Sequence, residues 1–232
     1  MALIEGMVEV PTKYGRMPSF VARPDAGGPF PAIIFYMDAP GFREELCNMA
    51  RRIAKAGYYC ILPDMYYRLG TLRLDNTRRT EAMTNVWREA MNSLTNADVT
   101  DDTAGILAFL DAQADVAAGP VGCVGYCSMY GVGIVTDKED SPHLLLDQVQ
   151  GELLFIFAET DAHVPQATVE ALKKAIKKTG VKASVLQLKG TQHGFQFAER
   201  LVYTPVQAEA AWDKLFALWD RNLKKATPAK RK

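Results

Sequence analysis

The chain has 232 residues, 48% of them apolar and 23% charged, ordinary proportions for a globular protein with a sizeable core. Lysine plus arginine and aspartate plus glutamate balance at 27 each, so no overall field argues for nucleic acid or an anionic membrane as partner. Four cysteines (Cys47, Cys60, Cys123, Cys127) in a chain of this length do not make a disulfide framework. Cys123 and Cys127 lack the spacing of a zinc or redox pair. The opening Met-Ala-Leu-Ile-Glu has neither the basic nor the apolar part of a secretion signal, and no apolar run has the length of a membrane span. A soluble, cytoplasmic protein is expected.

Met7 to Val10 and Ser19 to Ala22 read as two strands joined by the Lys13-Tyr14-Gly15 turn. Pro31 to Met37 is a continuous apolar run, the mark of a central strand. From Phe42 to Ala56 the residues Phe42, Leu46, Met49, Ala50 and Ile53 share a helical face, and Gly57 stops the helix. Tyr58 to Leu62 gives another buried strand. Residues 78 to 95 carry a stripe of Met83, Val86, Trp87, Ala90, Met91 and Leu94, and Asp98 to Gln113 repeats the pattern. Val121 to Cys127 is a short strand behind Gly119-Pro120, and Leu153 to Ala158 a further one. A helix opens at Pro165, with its lysines outward; Val181 to Leu188 is the last strand; Trp212, Leu215, Phe216, Trp219 and Leu223 make the last helix amphipathic. This alternation predicts an α/β fold, a mostly parallel sheet with helices on both faces, in one domain over residues 1–225 followed by a basic flexible tail, 226–232.

Three polar residues fall just past strand ends. Cys127 follows the Val121 strand with Gly125 two residues before it, a turn that lets the backbone bend sharply. Asp161 follows the Leu153 strand and His193 the Val181 strand. A thiol needs a neighbouring base to ionise at neutral pH, and that base needs a carboxylate to fix its tautomer. The order Cys…Asp…His is that of the α/β-hydrolase triad. Each residue has a structural alternative. Cys127 could end a buried strand; Asp161 could cap the helix near Pro165, and Asp38 the Phe42 helix. His163 could orient the Asp161 loop, and His143 reads as a first-turn helix residue.

Gly125-Tyr126-Cys127, Asp161-Ala162-His163-Val164-Pro165, His193-Gly194-Phe195 and Leu62-Pro63-Asp64-Met65-Tyr66-Tyr67-Arg68 resemble the dienelactone hydrolase family of α/β-hydrolases over nearly the whole chain. The resemblance implies a cysteine hydrolase that opens a small-molecule ester or enol-lactone through an acyl-thioester, without metal or organic cofactor. It makes Cys127 the nucleophile, His193 the base and Asp161 the residue orienting it. It also puts an acid, here Asp38, after the third strand to hold the resting thiol. The N–H groups of Ala39 and Ser128 would form the oxyanion hole, since Pro40 has none to offer. Arg68 and Arg200 lie near loops that could face the site and meet a substrate carboxylate; exposed arginines without that role are the alternative.

One interval departs from the family pattern. Cys127 to Asp161 is 34 residues, against roughly sixty for helix, strand, loop and next strand. The sheet is therefore expected to be one strand short. The slot could be taken by the Leu153 strand, after a helix at residues 141–148 with Ser141 as N-cap and three leucines to bury, or by Gly131 to Thr136 as a strand. Two readings of function stay open: an ester or lactone hydrolase with impaired activity, and a hydrolase-like binding protein or deletion variant that does not catalyse. Oligomeric state is left open.

Overall fold

The computed structural model describes residues 1–75, 78–125 and 132–224. They fall into two compact units, Met1–Val124 with the segment from Leu223, and Gly125–Asn222.

In the first unit β1 (Leu3–Thr12) and β2 (Gly15–Pro24) form an antiparallel hairpin in unbroken register from Leu3↔Pro24 to Thr12↔Gly15. Both outrun their apolar cores, because the ladder joins backbone groups and continues through exposed Glu5 and Arg16. The sheet runs β1-β2-β4-β3-β5, with β3 at Ala32–Tyr36, β4 at Tyr59–Pro63 and β5 at Gly122–Gly125. β2 meets β4 antiparallel, whereas β3 and β4 are parallel. Every residue of β3 and β4 is buried, which is why both read as unbroken apolar runs.

Helix α1 (Glu44–Lys55) packs on β2 and β4; the Gly57 N–H donates to the Ala54 carbonyl at 2.9 Å, and the positive φ of Gly57 (92°) turns the chain away from the helix. The stripe expected over residues 78–95 is only partly buried. In α2 (Glu81–Asn92) Trp87 and Ala90 are covered, while Val86 and Met91 remain 43% and 38% exposed. Helix α3 (Asn96–Asp111) starts two residues before the expected Asp98, because Thr95 and Asp98 cap each other's backbone N–H groups. It runs close to β1: a Cβ on Gly105 would lie 2.7 Å from the Pro11 carbonyl oxygen.

In the second unit β6 (Leu153–Thr160) and β7 (Ala183–Gln192) pair in parallel, in register from Leu153↔Ala183 to Ala158↔Leu188. Alternation along β6 divides its side chains between two clusters. Leu153, Phe155 and Phe157 join Leu146 and the Val169 and Leu172 of α4 (Gln166–Thr179). Ile156 and Ala158 join Phe195 and the Ala208 and Ala211 of α5 (Pro205–Trp219). After α5 a π-helical turn, Asp220–Lys224, brings Arg221 and Asn222 to Glu152. Glu152 accepts from Arg221 at 2.6 and 3.0 Å and from Asn222 at 2.9 Å, and pairs with Lys182 at 3.0 Å. These donors, Arg221 foremost, hold its carboxyl well below the usual range.

Four expectations are corrected here. Pro142–Gln148 is a short 3₁₀ helix, and Ser141 does not cap it, because its hydroxyl accepts the Thr136 N–H and meets His143 Nδ1, both at 2.8 Å. His143 is thus more than a first-turn residue. Of the three leucines only Leu146 is buried, Leu144 and Leu145 being 53% and 42% exposed. With three residues per turn, consecutive leucines point in three directions and cannot share a face. Residues 132–136 form turns and a bend, not a strand. The basic tail 226–232 lies outside the described residues.

Candidate active site

Asp161 follows β6 and uses both carboxylate oxygens. Oδ1 accepts the N–H groups of His163 (2.8 Å) and Val164 (3.2 Å), which folds the Asp161–Val164 segment into a tight turn. Oδ2 meets Nδ1 of His193 at 2.7 Å. The reading of Asp161 as a helix cap is therefore corrected: α4 begins at Gln166, its N-cap position is Pro165, and no side chain caps it. The Asp161 side chain is 8% exposed and that of His193 21%, so the pair sits at the edge of solvent. Gly194, with φ of +88°, turns the chain after the histidine. A Cβ there would lie 2.5 Å from Arg200 Nη1, so only glycine lets that guanidinium lie against the histidine loop. The Arg200 guanidinium also lies 4.1 Å from the centroid of the Phe197 ring. The His163 ring stands edge-on to the His193 ring at 4.8 Å.

The loop after β3 is built differently. Asp38 is 1% exposed, and its carboxylate is held by Arg43, through Nη1 and through Nη2 at 3.3 Å. The same guanidinium binds Glu45 at 2.7 and 3.0 Å and the Gly41 carbonyl at 3.2 Å. Asp38 is not a helix cap: the N-cap position of α1 is Arg43, without a side-chain cap bond. The buried Tyr66 hydroxyl donates to the Ala39 carbonyl at 2.9 Å, and its ring lies against Gly41, whose φ of +84° turns the loop. Burial, with Asp38 and Asp64 nearby, pushes the Tyr66 phenol up, so it stays a donor. Among the described residues the Ala39 N–H has no hydrogen-bond partner. Sequence reasoning missed Arg43 and Tyr66; the available signal was an arginine five residues past a buried acid, across a glycine turn.

Cys127 and Ser128 lie outside the described residues. Cys47 and Cys60 are buried; burial raises the Cys47 thiol to about 11 and moves Cys60 further still. Arg68 is not an exposed arginine. It gives Nη2 to the fully buried Asp102 at 2.9 Å and lies over the Tyr14 and Tyr67 rings at 4.2 and 4.9 Å. Among the described residues no three His, Cys, Asp or Glu side chains gather as a metal ion would need, and no helix is long and apolar enough to cross a membrane.

Comparison with known proteins bears on this arrangement. A protein of Synechocystis sp. named "Putative carboxymethylenebutenolidase" is 25% identical over 240 positions, covering 94% of this chain and 97% of that one. A protein of the same name from Escherichia coli K12 is 24% identical over 245 positions, covering 92% and 86%. Both alignments are longer than the 232 residues of this chain, so each relative has positions that this chain lacks. The crystal structure of a "Putative Dienelactone Hydrolase" from Klebsiella pneumoniae has the same fold, with a TM-score of 0.84 at 23% identity over 95% of this chain and 100% of the other. The family model for dienelactone hydrolases matches residues 17–138 and again 128–223, two stretches that overlap on residues 128–138. Matched from residue 17 to residue 223, this chain belongs to the dienelactone hydrolase family.

Proposed function

We propose that the protein hydrolyses esters or lactones through a thioester on Cys127. The observation that carries this is the 2.7 Å contact of Asp161 Oδ2 with His193 Nδ1. With Nδ1–H donated to the carboxylate, the neutral ring keeps its lone pair on Nε2, the tautomer a thiol nucleophile needs. His193 takes the proton of the Cys127 thiol, and the thiolate attacks the substrate carbonyl carbon. The tetrahedral oxyanion collapses with cleavage of the C–O bond, and the departing alkoxide or enolate takes the proton from His193. A water molecule, deprotonated by His193, then attacks the thioester and releases the carboxylic acid and the thiol. The N–H groups of Ala39 and Ser128 are the oxyanion donors in this reading, and Asp38 is the acid that sets the resting state of the thiol. Arg68 and Arg200 are the candidates in this reading for the carboxylate of a small acidic substrate; the commitment of Arg68 to Asp102 and two aromatic rings weighs against the first.

The activity proposed is a weakened one. The short Cys127-to-Asp161 interval, and a family match that breaks into two stretches over residues 128–138, support the loss of the helix that would follow the nucleophile. Loss of one oxyanion donor costs about 10²–10³ in rate. The test is hydrolysis of 4-nitrophenyl acetate by this chain and by a version with a family helix and strand inserted after Cys127. Mass spectrometry would look for an acetyl group on the Cys127 peptide. At least about a hundredfold gain on insertion is expected; equal rates would refute the impairment. No acetylated Cys127 in either protein would favour the alternative, a hydrolase-like protein that does not catalyse.

A further inference from the structure

The turn over residues 38–41 is closed by the Gly41 N–H, which donates to the Asp38 carbonyl at 2.9 Å. A trans peptide points its N–H opposite to its C=O, and the Asp38–Ala39 bond is trans. With the Asp38 carbonyl turned inward to Gly41, the Ala39 N–H therefore points out of the turn. Two further carbonyls are taken: Arg43 Nη1 donates to that of Gly41 at 3.2 Å, and the Tyr66 hydroxyl to that of Ala39 at 2.9 Å. Pro40 has no N–H. The turn thus has three carbonyls held by donors, while the N–H of half-buried Ala39 has no partner among the described residues. We propose that Tyr66 is a positioning residue for this turn: its hydroxyl, on the Ala39 carbonyl, and its ring, against Gly41, hold the Ala39 N–H in the direction of the reacting oxyanion. The consequence for turnover rests on the reading of that N–H as an oxyanion donor; the holding of the turn does not.

The closing bond of the turn leaves its middle peptide, between Ala39 and Pro40, unfixed. The proline ring locks φ at Pro40, so the freedom left at this corner is rotation of the Ala39 carbonyl, which the Tyr66 bond takes away. Tyr66 is able to do this because it is itself immobilised. It is 2% exposed, its own N–H donates to Asp64 Oδ1 at 3.3 Å, and Asp64 Oδ2 accepts from Arg73 at 2.7 Å. The Arg73 guanidinium lies 4.5 Å from the centroid of the Phe42 ring, just past the turn. β3 and β4 run parallel as neighbours, so the loop after β4 grips the loop after β3 at Ala39, Gly41 and Phe42. Such a grip has a use in catalysis, since an oxyanion donor acts only from a preorganised position, and a misplacement of about 1 Å costs about a hundredfold.

The test compares the full chain with Tyr66→Phe, which keeps the ring and drops the bond, and with Tyr67→Phe, which drops a hydroxyl bonded to Thr12 and Asp102 instead. The turn is read without turnover, by nitrogen–proton correlation NMR. In Tyr66→Phe the Ala39 amide resonance should move, and the Gly41 amide should exchange with deuterium about tenfold faster, as loss of one buried hydrogen bond allows. Neither should change in Tyr67→Phe. Unmoved Ala39 and Gly41 amides in Tyr66→Phe overturn the holding of the turn. With 4-nitrophenyl acetate, kcat of Tyr66→Phe should fall by about 10–100-fold with KM little changed, while Tyr67→Phe keeps both. An unchanged kcat in Tyr66→Phe, or an equal fall in the two variants, overturns the role in catalysis. A parent without turnover and without acetylated Cys127 refutes the proposed function instead, and the amide signals then decide on Tyr66 alone.

Discussion

The loop after β3 and the loop after β6 both follow strands with a carboxylate, and they are fixed by opposite means. At the first, Asp38 and Glu45 share one guanidinium, and all three side chains are 10% exposed or less. Arginine stays charged at any pH the protein meets, and its planar fork holds two carboxylates in fixed directions. At the second, Asp161 works with two backbone N–H groups and an imidazole at the edge of solvent. A site that must hold a backbone donor still is served by buried charges that do not titrate. A site that must exchange protons needs a group that does, and so keeps it near water.

The comparison can be broken most sharply at Asp161. Asp161→Asn keeps the shape but removes the acceptor that selects the His193 tautomer. Esterase kcat should fall by about 10³–10⁴ or to the solution background, with wild-type-like secondary structure by circular dichroism. On the other side, Arg43→Met removes the guanidinium that the buried Asp38 and Glu45 share. Urea unfolding should show a loss of about 3–5 kcal/mol. Asp38→Asn, which leaves Arg43 its Glu45 partner, should cost less, about 1–3 kcal/mol, and should change the pH dependence of Cys127 alkylation. Away from both loops, Gly105→Ala forces α3 off β1 and should cost about 1–3 kcal/mol in the same assay. Glu152 gives the smallest effect and the clearest sign. Its folded pKa lies below its unfolded one, so its contribution is complete above the unfolded value of about 4.3 and is lost as pH falls. The melting temperature should therefore drop more steeply between pH 5 and 3 in the parent than in Glu152→Gln.

Legibility in the sequence followed the kind of force involved. β3 and β4 stood out because burial on both faces leaves an unbroken apolar run. Asp161 and His193 stood out because each lies just past a strand end, in the order acid then histidine after a cysteine at a third strand end, and His193 beside Gly194 has little structural reason to be there. The full length of the β1–β2 hairpin did not show, since backbone ladders leave no trace in side-chain polarity. Arg43 was hidden for a different reason: a charged residue at a helix start reads as solvated, and only the fold reveals two acids turned toward it. The contact of His163 with His193 was hidden too, being a contact across 30 residues of chain. The exposed stripe of α2 shows the opposite error, because periodicity predicts a face without saying whether anything covers it.

Glu152 joins three segment ends: the start of β6 beside it, Lys182 ahead of β7, and Arg221 and Asn222 just past α5. Such a knot makes fraying from any one end costly. The backbone amides of the β6–β7 ladder should therefore exchange with deuterium as one cooperative block, opening together rather than strand by strand. The segment that carries fully exposed Leu201, between β7 and α5, lies outside that block and should exchange fastest. His193 would then ride on the boundary between a part of the protein that opens as a whole and a part that opens on its own.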